Sequence, residues 1–207
     1  YAVERGQWAE AARLKLHPGE FDFPWASWPQ SEAILVFARA LGSARSGDSA
    51  GARKEIERLN SLREALVAAK QNYWTGQVEI QIKASSAWVA RAEGKNEEAL
   101  ALLRAAADME DKSEKHIVTP GYLLPAREML GELLLELGQP AQALTAFETS
   151  AKHEPNRFRG THGAARAAAL SGDRDKARMY YAKLVTLAEK GDGARPELRQ
   201  AKAFLAQ

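Results

Sequence analysis

The sequence predicts an all-α fold, an α-α superhelix of antiparallel helix hairpins that ends in a C-terminal capping helix. Three observations support this prediction. Alanine accounts for 40 of the 207 residues, and the other abundant types (Leu, Glu, Lys and Arg) are also strong helix formers. Apolar residues recur at helical spacing, as on one face of the segment Glu55–Gln71. A Gly followed five residues later by Ala occurs five times, which indicates an internal repeat.

Composition and charge exclude several classes of protein. The chain has no cysteine, which excludes a disulfide framework and any thiolate metal site. Its 29 Lys and Arg nearly balance its 27 Asp and Glu, so no strong field favours nucleic acid. No apolar stretch approaches the roughly 18–20 residues that span a bilayer. We therefore expect no nucleic-acid partner and no insertion into a membrane.

The recurring pattern indicates a helical hairpin at each occurrence. The Gly can take the left-handed conformation that ends one helix, and the small Ala lets the two helices of the hairpin approach closely. Four residues beyond the Ala, a large side chain fills the groove between hairpins in every copy except the first, which has Lys15. The five pairs are Gly6/Ala11, Gly47/Ala52, Gly94/Ala99, Gly138/Ala143 and Gly172/Ala177.

This pattern resembles the tetratricopeptide repeat (TPR), a family of helix-turn-helix units about 34 residues long. The best copy has Leu130-Gly131, Phe147 and Pro155-Asn156 at the Leu-Gly, aromatic and terminal Pro-Asn positions of the family. The resemblance implies a single domain. Its parts are a half-repeat at 1–16, an irregular linker at 17–32, repeats at 33–66, 80–113, 124–157 and 158–191, and a capping helix at 192–207.

Two irregular segments, 17–29 and 112–123, interrupt the repeats, and we expect Asn72–Gly76 to form the corner between two long helices. Because the chain starts at Tyr1 without an initiator Met, we interpret it as a fragment of a longer protein. The loop Glu114–Gly121, with Pro125–Glu128 after it, looks similar to a group of bacterial repeat proteins without an assigned activity. That similarity implies the C-terminal part of such a protein, from the bacterial cytoplasm or periplasm.

The sequence has no pattern typical of a catalytic or cofactor site. HExxH, GxSxG, Walker and GxGxxG motifs do not occur, and the four histidines form no ligand pair at helical spacing. We therefore expect no enzymatic activity, no cofactor and no metal. Glu128, Glu132 and Glu136 share one helix face. Paired carboxylates can act as acid and base, but we favour a solvated helix face.

The TPR resemblance implies that the first helix of each repeat lines a concave groove. Trp88 beside Arg91 could anchor a peptide side chain or be a core residue. The basic strip Arg159–Arg166 could meet a carboxylate or pair with the acidic face Glu128–Glu136 of the neighbouring repeat. The candidate peptide-binding residues are Arg45, Gln81, Trp88, Arg91, Glu128, Glu132, Arg159, His162 and Arg166.

The function predicted from these features is a non-catalytic scaffold that binds a protein or peptide segment in its groove. The alternative is a small-ligand site, or an unrecognised enzymatic site, formed by the loops 17–29 and 112–123 over the groove. Its candidate residues are Glu114, His116 and Tyr122, because loops on rigid scaffolds often carry binding. A third possibility is a structural role, in which the stack mediates self-association.

Overall fold

A computed structural model of the protein describes residues 1–16, 23–114, 122–191 and 193–207. These ranges contain helices and no strand. The all-α fold class is therefore confirmed. The α-helices are α1 (Trp8–Ala11), α2 (Pro29–Arg45), α3 (Ser49–Ala68), α4 (Asn72–Ala92), α5 (Asn96–Asp111), α6 (Ala126–Glu136), α7 (Pro140–His153), α8 (Phe158–Leu170), α9 (Arg174–Leu187) and α10 (Pro196–Leu205).

The contacts divide the chain into two compact units, Tyr1–Ala126 and Arg127–Gln207. In the first unit α1 packs on α2, α2 on α3, α3 on α4 and α4 on α5, and α2 also contacts α4. In the second unit α7 packs on α8, α8 on α9 and α9 on α10. Consecutive helices thus pack in adjacent pairs, the arrangement of an α-α repeat, and the predicted C-terminal helix is present as α10. The grouping of all helices into one repeat domain stays a prediction.

Five chain reversals have the turn that the repeated Gly and Ala pattern predicts. All five glycines have a positive φ, between 65° and 86°. At each turn the N–H of the following residue bonds to the carbonyl five residues before it, at 2.8–3.0 Å, which satisfies a carbonyl at the helix end. Each alanine of the pattern has 0 % of its surface exposed, as close packing requires. The buried alanines are Ala11, Ala52, Ala99, Ala143 and Ala177.

The corner predicted at Asn72–Gly76 is wrong, because these residues form the start of α4. The chain reverses earlier, where Lys70 has a φ of 55° and the Gln71 N–H bonds to the Leu66 carbonyl at 2.9 Å. The hydrogen bond is the one found at the glycine turns, but a lysine occupies the left-handed position. The sequence therefore has no turn signal at the true reversal, while Gly76 suggests a turn inside a helix.

Two other helix bounds differ from the prediction. α2 begins at Pro29, inside the predicted linker 17–32, because proline is favoured at the first helical position, where no N–H is needed. The second helix of the predicted half-repeat is only a single turn, Trp8–Ala11. This turn packs closely on α2 at Gly42, where a Cβ would lie 2.3 Å from the backbone nitrogen of Ala12.

Phe147 of α7 lies at the centre of the core of the second unit, with 2 % of its surface exposed. A Cβ at Gly131 of α6 would lie 2.7 Å from the ring atom Cε2, and one at Gly163 of α8 would lie 2.3 Å from Cε1. Both helices therefore contact the ring through glycine backbone, where a side chain would leave too little space. This contact places α6 and α8, which carry most of the candidate residues of this unit.

Candidate binding surfaces

In the first unit, Arg45 near the end of α2 stacks on two tryptophan rings. Its Cζ lies 3.9 Å from the ring centroid of Trp88 and 5.0 Å from that of Trp8, so both contacts are within cation–π range. Trp88 is 3 % exposed, which confirms the interpretation of this residue as part of the core. A peptide side chain would have to displace Arg45 to reach that face of the ring.

The other two candidates of the first unit lie on α4, on either side of Trp88. Arg91 donates a hydrogen bond to Asn96 Oδ1 at 3.2 Å. Gln81 is half-buried, and its Oε1 has no hydrogen-bond partner within the described ranges. Ser85, one turn further along α4, is fully buried, and its Oγ likewise has no partner there. Arg45, Trp88 and Arg91 thus make internal contacts, whereas no hydrogen bond to Gln81 Oε1 comes from the described residues.

The loop candidates are only partly described. The Tyr122 hydroxyl lies 2.8 Å from Ser113 Oγ, which also accepts a hydrogen bond from Gln77 Nε2 at 3.2 Å. Tyr122 is thus held against the end of α5. Glu114 is exposed, and His116 lies outside the described residues. Residues 17–22 and 115–121 are not described either, so the alternative site formed by the two loops stays a prediction.

In the second unit, Glu128 is buried rather than solvated. It is 1 % exposed, and its Oε1 accepts a hydrogen bond from Arg157 Nε at 2.9 Å. A Cβ at Gly160 would lie 2.6 Å from Oε1, so the missing side chain leaves room for the carboxyl group against α8. Burial raises the pKa of Glu128 to about 7, although the charge of Arg157 acts in the opposite direction.

The other two carboxylates of the acidic face, Glu132 and Glu136, differ in their surroundings. Glu132 pairs with Arg159, and only Glu136 of the three is exposed. The interpretation of a solvated face is therefore wrong for Glu128 and Glu132. The pairing of Arg159 with this face, the other interpretation of the basic strip, is confirmed. The reason is that basic residues at the start of α8 lie next to α6 and neutralise its carboxylates.

The two remaining candidates, His162 and Arg166, lie on α8 next to α10. His162 Nε2 lies 2.9 Å from Gln200 Oε1. Because this oxygen can only accept, the imidazole donates from Nε2, and the Gln200 amide nitrogen is left for another partner. Burial lowers the pKa of His162 below its usual value, although the hydrogen bond to Gln200 acts in the opposite direction.

A cleft of about 420 Å³, here called the Arg166 cleft, opens where α8, α9 and α10 meet. Its apolar part contains Leu170, which is 62 % exposed, and the rings of Tyr181 and Phe204, whose centroids are 4.8 Å apart. Arg166 is exposed and makes no hydrogen bond or ion pair with any residue that the structure describes. The lining residues are Arg166, Ala169, Leu170, Tyr181, Gln200, Ala203, Phe204 and Gln207.

Our interpretation of the sequence missed the contribution of α10 to this cleft. Gln200, Phe204 and Gln207 have the i, i+4, i+7 spacing of one helix face, and this signal was available. The sequence does not show, however, that this face borders α8 rather than open solvent. That placement depends on how α10 packs on α9.

A comparison with known protein families finds no family that matches this chain, and no curated protein matches it either. Within residues 1–16, 23–114, 122–191 and 193–207, no group of three or more His, Asp or Glu side chains is placed to hold a metal ion. None of the helices in these ranges is both long enough and apolar enough to cross a membrane.

Proposed function

We propose that this chain is a non-catalytic scaffold of the TPR type that binds a protein or peptide segment. Support for the family comes from the five turns that share a left-handed glycine, the same closing hydrogen bond and a fully buried alanine. Stacked helical hairpins that repeat in this way present an extended surface of helix faces. Such surfaces are suited to holding a chain segment along several helices.

The observation that carries the binding proposal is that Arg166 is exposed and forms no ion pair with a described residue. Arg157 and Arg159 are used in ion pairs with α6, and Arg45 is stacked on tryptophan. Arg166 instead borders an apolar cleft without an ion pair among the described residues. An apolar surface with a few polar groups is the usual composition of a binding site.

A peptide array tests this proposal. The purified chain is applied to an immobilised library of random peptides, and the bound sequences are remade in solution for fluorescence anisotropy. We expect a distinct subset to bind with dissociation constants in the micromolar range, about 8 kcal/mol of binding free energy. The proposal fails if every peptide binds as weakly as it does to a helical control protein of similar size and charge.

A further inference from the structure

We propose that the Arg166 cleft binds an acidic side chain of a peptide segment, with a neighbouring apolar side chain of that peptide on Leu170 and Phe204. This inference rests on the proposed function and specifies the chemistry of the bound segment. The acidic group is an internal Glu or Asp, so the site reads a side-chain carboxylate within the segment.

Two side chains that can donate hydrogen bonds line the cleft, one on α8 and one on α10. Arg166 supplies an exposed guanidinium without an ion pair in the described part of the chain. Gln200 supplies its amide nitrogen, because its oxygen is already bonded to His162 Nε2 at 2.9 Å. A cation and an amide N–H₂ match the two oxygens of a carboxylate, and hydrogen bonds to a charged group are stronger than neutral ones.

The apolar part of the cleft lies one helical turn beyond the donors on both helices. On α8, Leu170 follows Arg166 by four residues, and on α10, Phe204 follows Gln200 by four residues. One turn of helix advances by about 5.4 Å. The ligand therefore needs an anionic group and an apolar group about that far apart, a distance that neighbouring Glu and Leu side chains of a peptide can span.

The charge around the cleft also favours an anionic partner. Residues 158–207 contain ten Lys and Arg against five Asp and Glu. Two of these cations pair with acids outside this range, Arg159 with Glu132 and Lys176 with Glu148, so the excess of five positive charges falls to three. The resulting field attracts acidic segments over about 8–10 Å at physiological ionic strength.

A peptide fits this cleft better than a nucleic acid does. Single-stranded nucleic acid is held by a row of cations along the backbone and by aromatic faces on which bases stack. The Arg166 cleft offers one guanidinium, and its Phe204 ring is engaged by Tyr181 at a tilt of 40°. An apolar surface of this kind suits an aliphatic side chain better than a stacked base.

The test uses a short unlabelled peptide of alternating Glu and Leu, acetylated and amidated so that side chains carry its only carboxylates, and binding is measured by isothermal titration calorimetry. We expect Arg166→Gln to weaken its binding by about 10- to 100-fold, the range for the loss of a charge-assisted hydrogen bond. Arg199→Gln is the matched control, since Arg199 is exposed on α10 outside the cleft. We expect it to change binding less than about threefold. Leu170→Ser should weaken binding about fivefold or more, because it removes apolar contact area.

Several results would overturn the inference. If Arg166→Gln and Arg199→Gln lose the same affinity for the peptide, the attraction comes from the net positive charge of the surface and not from the cleft. Equal binding of the counterpart peptide with Gln in place of Glu would show that no carboxylate is read, and tighter binding of a dT oligonucleotide would assign the surface to nucleic acid. If array peptides that contain no Glu or Asp bind, and Arg166→Gln does not change their affinity, this inference fails while the scaffold proposal stands. If no array peptide binds at all, the proposed function itself fails. Thermal melting of each variant checks that it remains folded.

Discussion

Replacing Gly163 by Ala would drive a methyl group into the ring of Phe147. The new Cβ would lie 2.3 Å from ring atom Cε1, whereas carbon atoms in contact prefer about 3.5–4.0 Å. Either the ring or α8 must therefore move by more than about 1 Å. Because Phe147 is buried and α6 contacts the same ring through Gly131, the ring has little room to withdraw.

The magnitude follows from two opposing effects. Overpacking of a core typically costs about 1–3 kcal/mol, while alanine stabilises a helix relative to glycine by about 0.5–1 kcal/mol. We expect a net loss of about 1–2 kcal/mol for Gly163→Ala. For a chain of this size, the melting temperature should fall by about 2–8 °C. Gly76→Ala is the matched control, because Gly76 also lies inside a helix but a Cβ there meets no atom within 4 Å. It should raise stability by about 0.5–1 kcal/mol.

The assay is urea unfolding, followed by circular dichroism, of Gly163→Ala, Gly76→Ala, Phe147→Leu and the double variant Gly163→Ala/Phe147→Leu. Shortening the ring to leucine relieves the clash, so the two substitutions should cost at least about 1 kcal/mol less together than the sum of their separate costs. The reasoning is refuted if Gly163→Ala stabilises the protein as Gly76→Ala does. The reasoning is also refuted if the free-energy costs of Gly163→Ala and Phe147→Leu are additive in the double variant.

Three further predictions concern other parts of the fold. Lys70→Gly should stabilise the chain by about 0.5–1 kcal/mol, because it relieves the left-handed backbone of a non-glycine residue; a lower urea midpoint would contradict this. Gly42→Ala should undock α1, since the new Cβ would lie 2.3 Å from the Ala12 nitrogen. Amide exchange of residues 8–12 should then accelerate while α3–α5 stay protected, and unchanged exchange at residues 8–12 would speak against the close contact. The pKa of Glu128 is about 7 in the fold against a usual value of 4.5, so its contribution to stability is complete below about pH 4.5 and is lost as the pH rises through 7. Between pH 5 and 8 the wild type should therefore lose up to about 3 kcal/mol more stability than Glu128→Gln, and parallel urea-unfolding profiles of the two proteins would refute this. The opposite pH trend of His162, whose pKa is lowered, is common to both proteins and cancels in the difference.

Much of the fold could be predicted from the sequence because the turns have local causes. A glycine is needed where the backbone is left-handed, and a small residue is needed where two helices approach. Both requirements can be read at Gly94 and Ala99 without knowing the rest of the chain. The turn at Lys70 could not be predicted this way, because the packing of α3 on α4 imposes a conformation that the lysine itself disfavours.

Whether a candidate binding residue is exposed depends more on tertiary contacts than on the local sequence. The sequence places Trp88 and Arg166 at comparable positions on first helices of repeats, but it does not say which side chain is covered. Trp88 is covered because Arg45 packs on its ring, with Trp8 on α1 also in contact with that arginine. Arg166 stays exposed next to the cleft that α10 borders.

The sequence by itself determined the helical hairpins, the positions of their five glycine turns and the alanines at their closest contacts. These features follow from backbone conformation and side-chain size at single positions. Only the tertiary structure decided that the Glu128 carboxyl is buried against Gly160 and that the Gln200 oxygen of α10 pairs with His162 of α8. Charge and burial at these sites depend on neighbours that lie 29 to 38 residues away in the chain and are brought together by the packing of the helices.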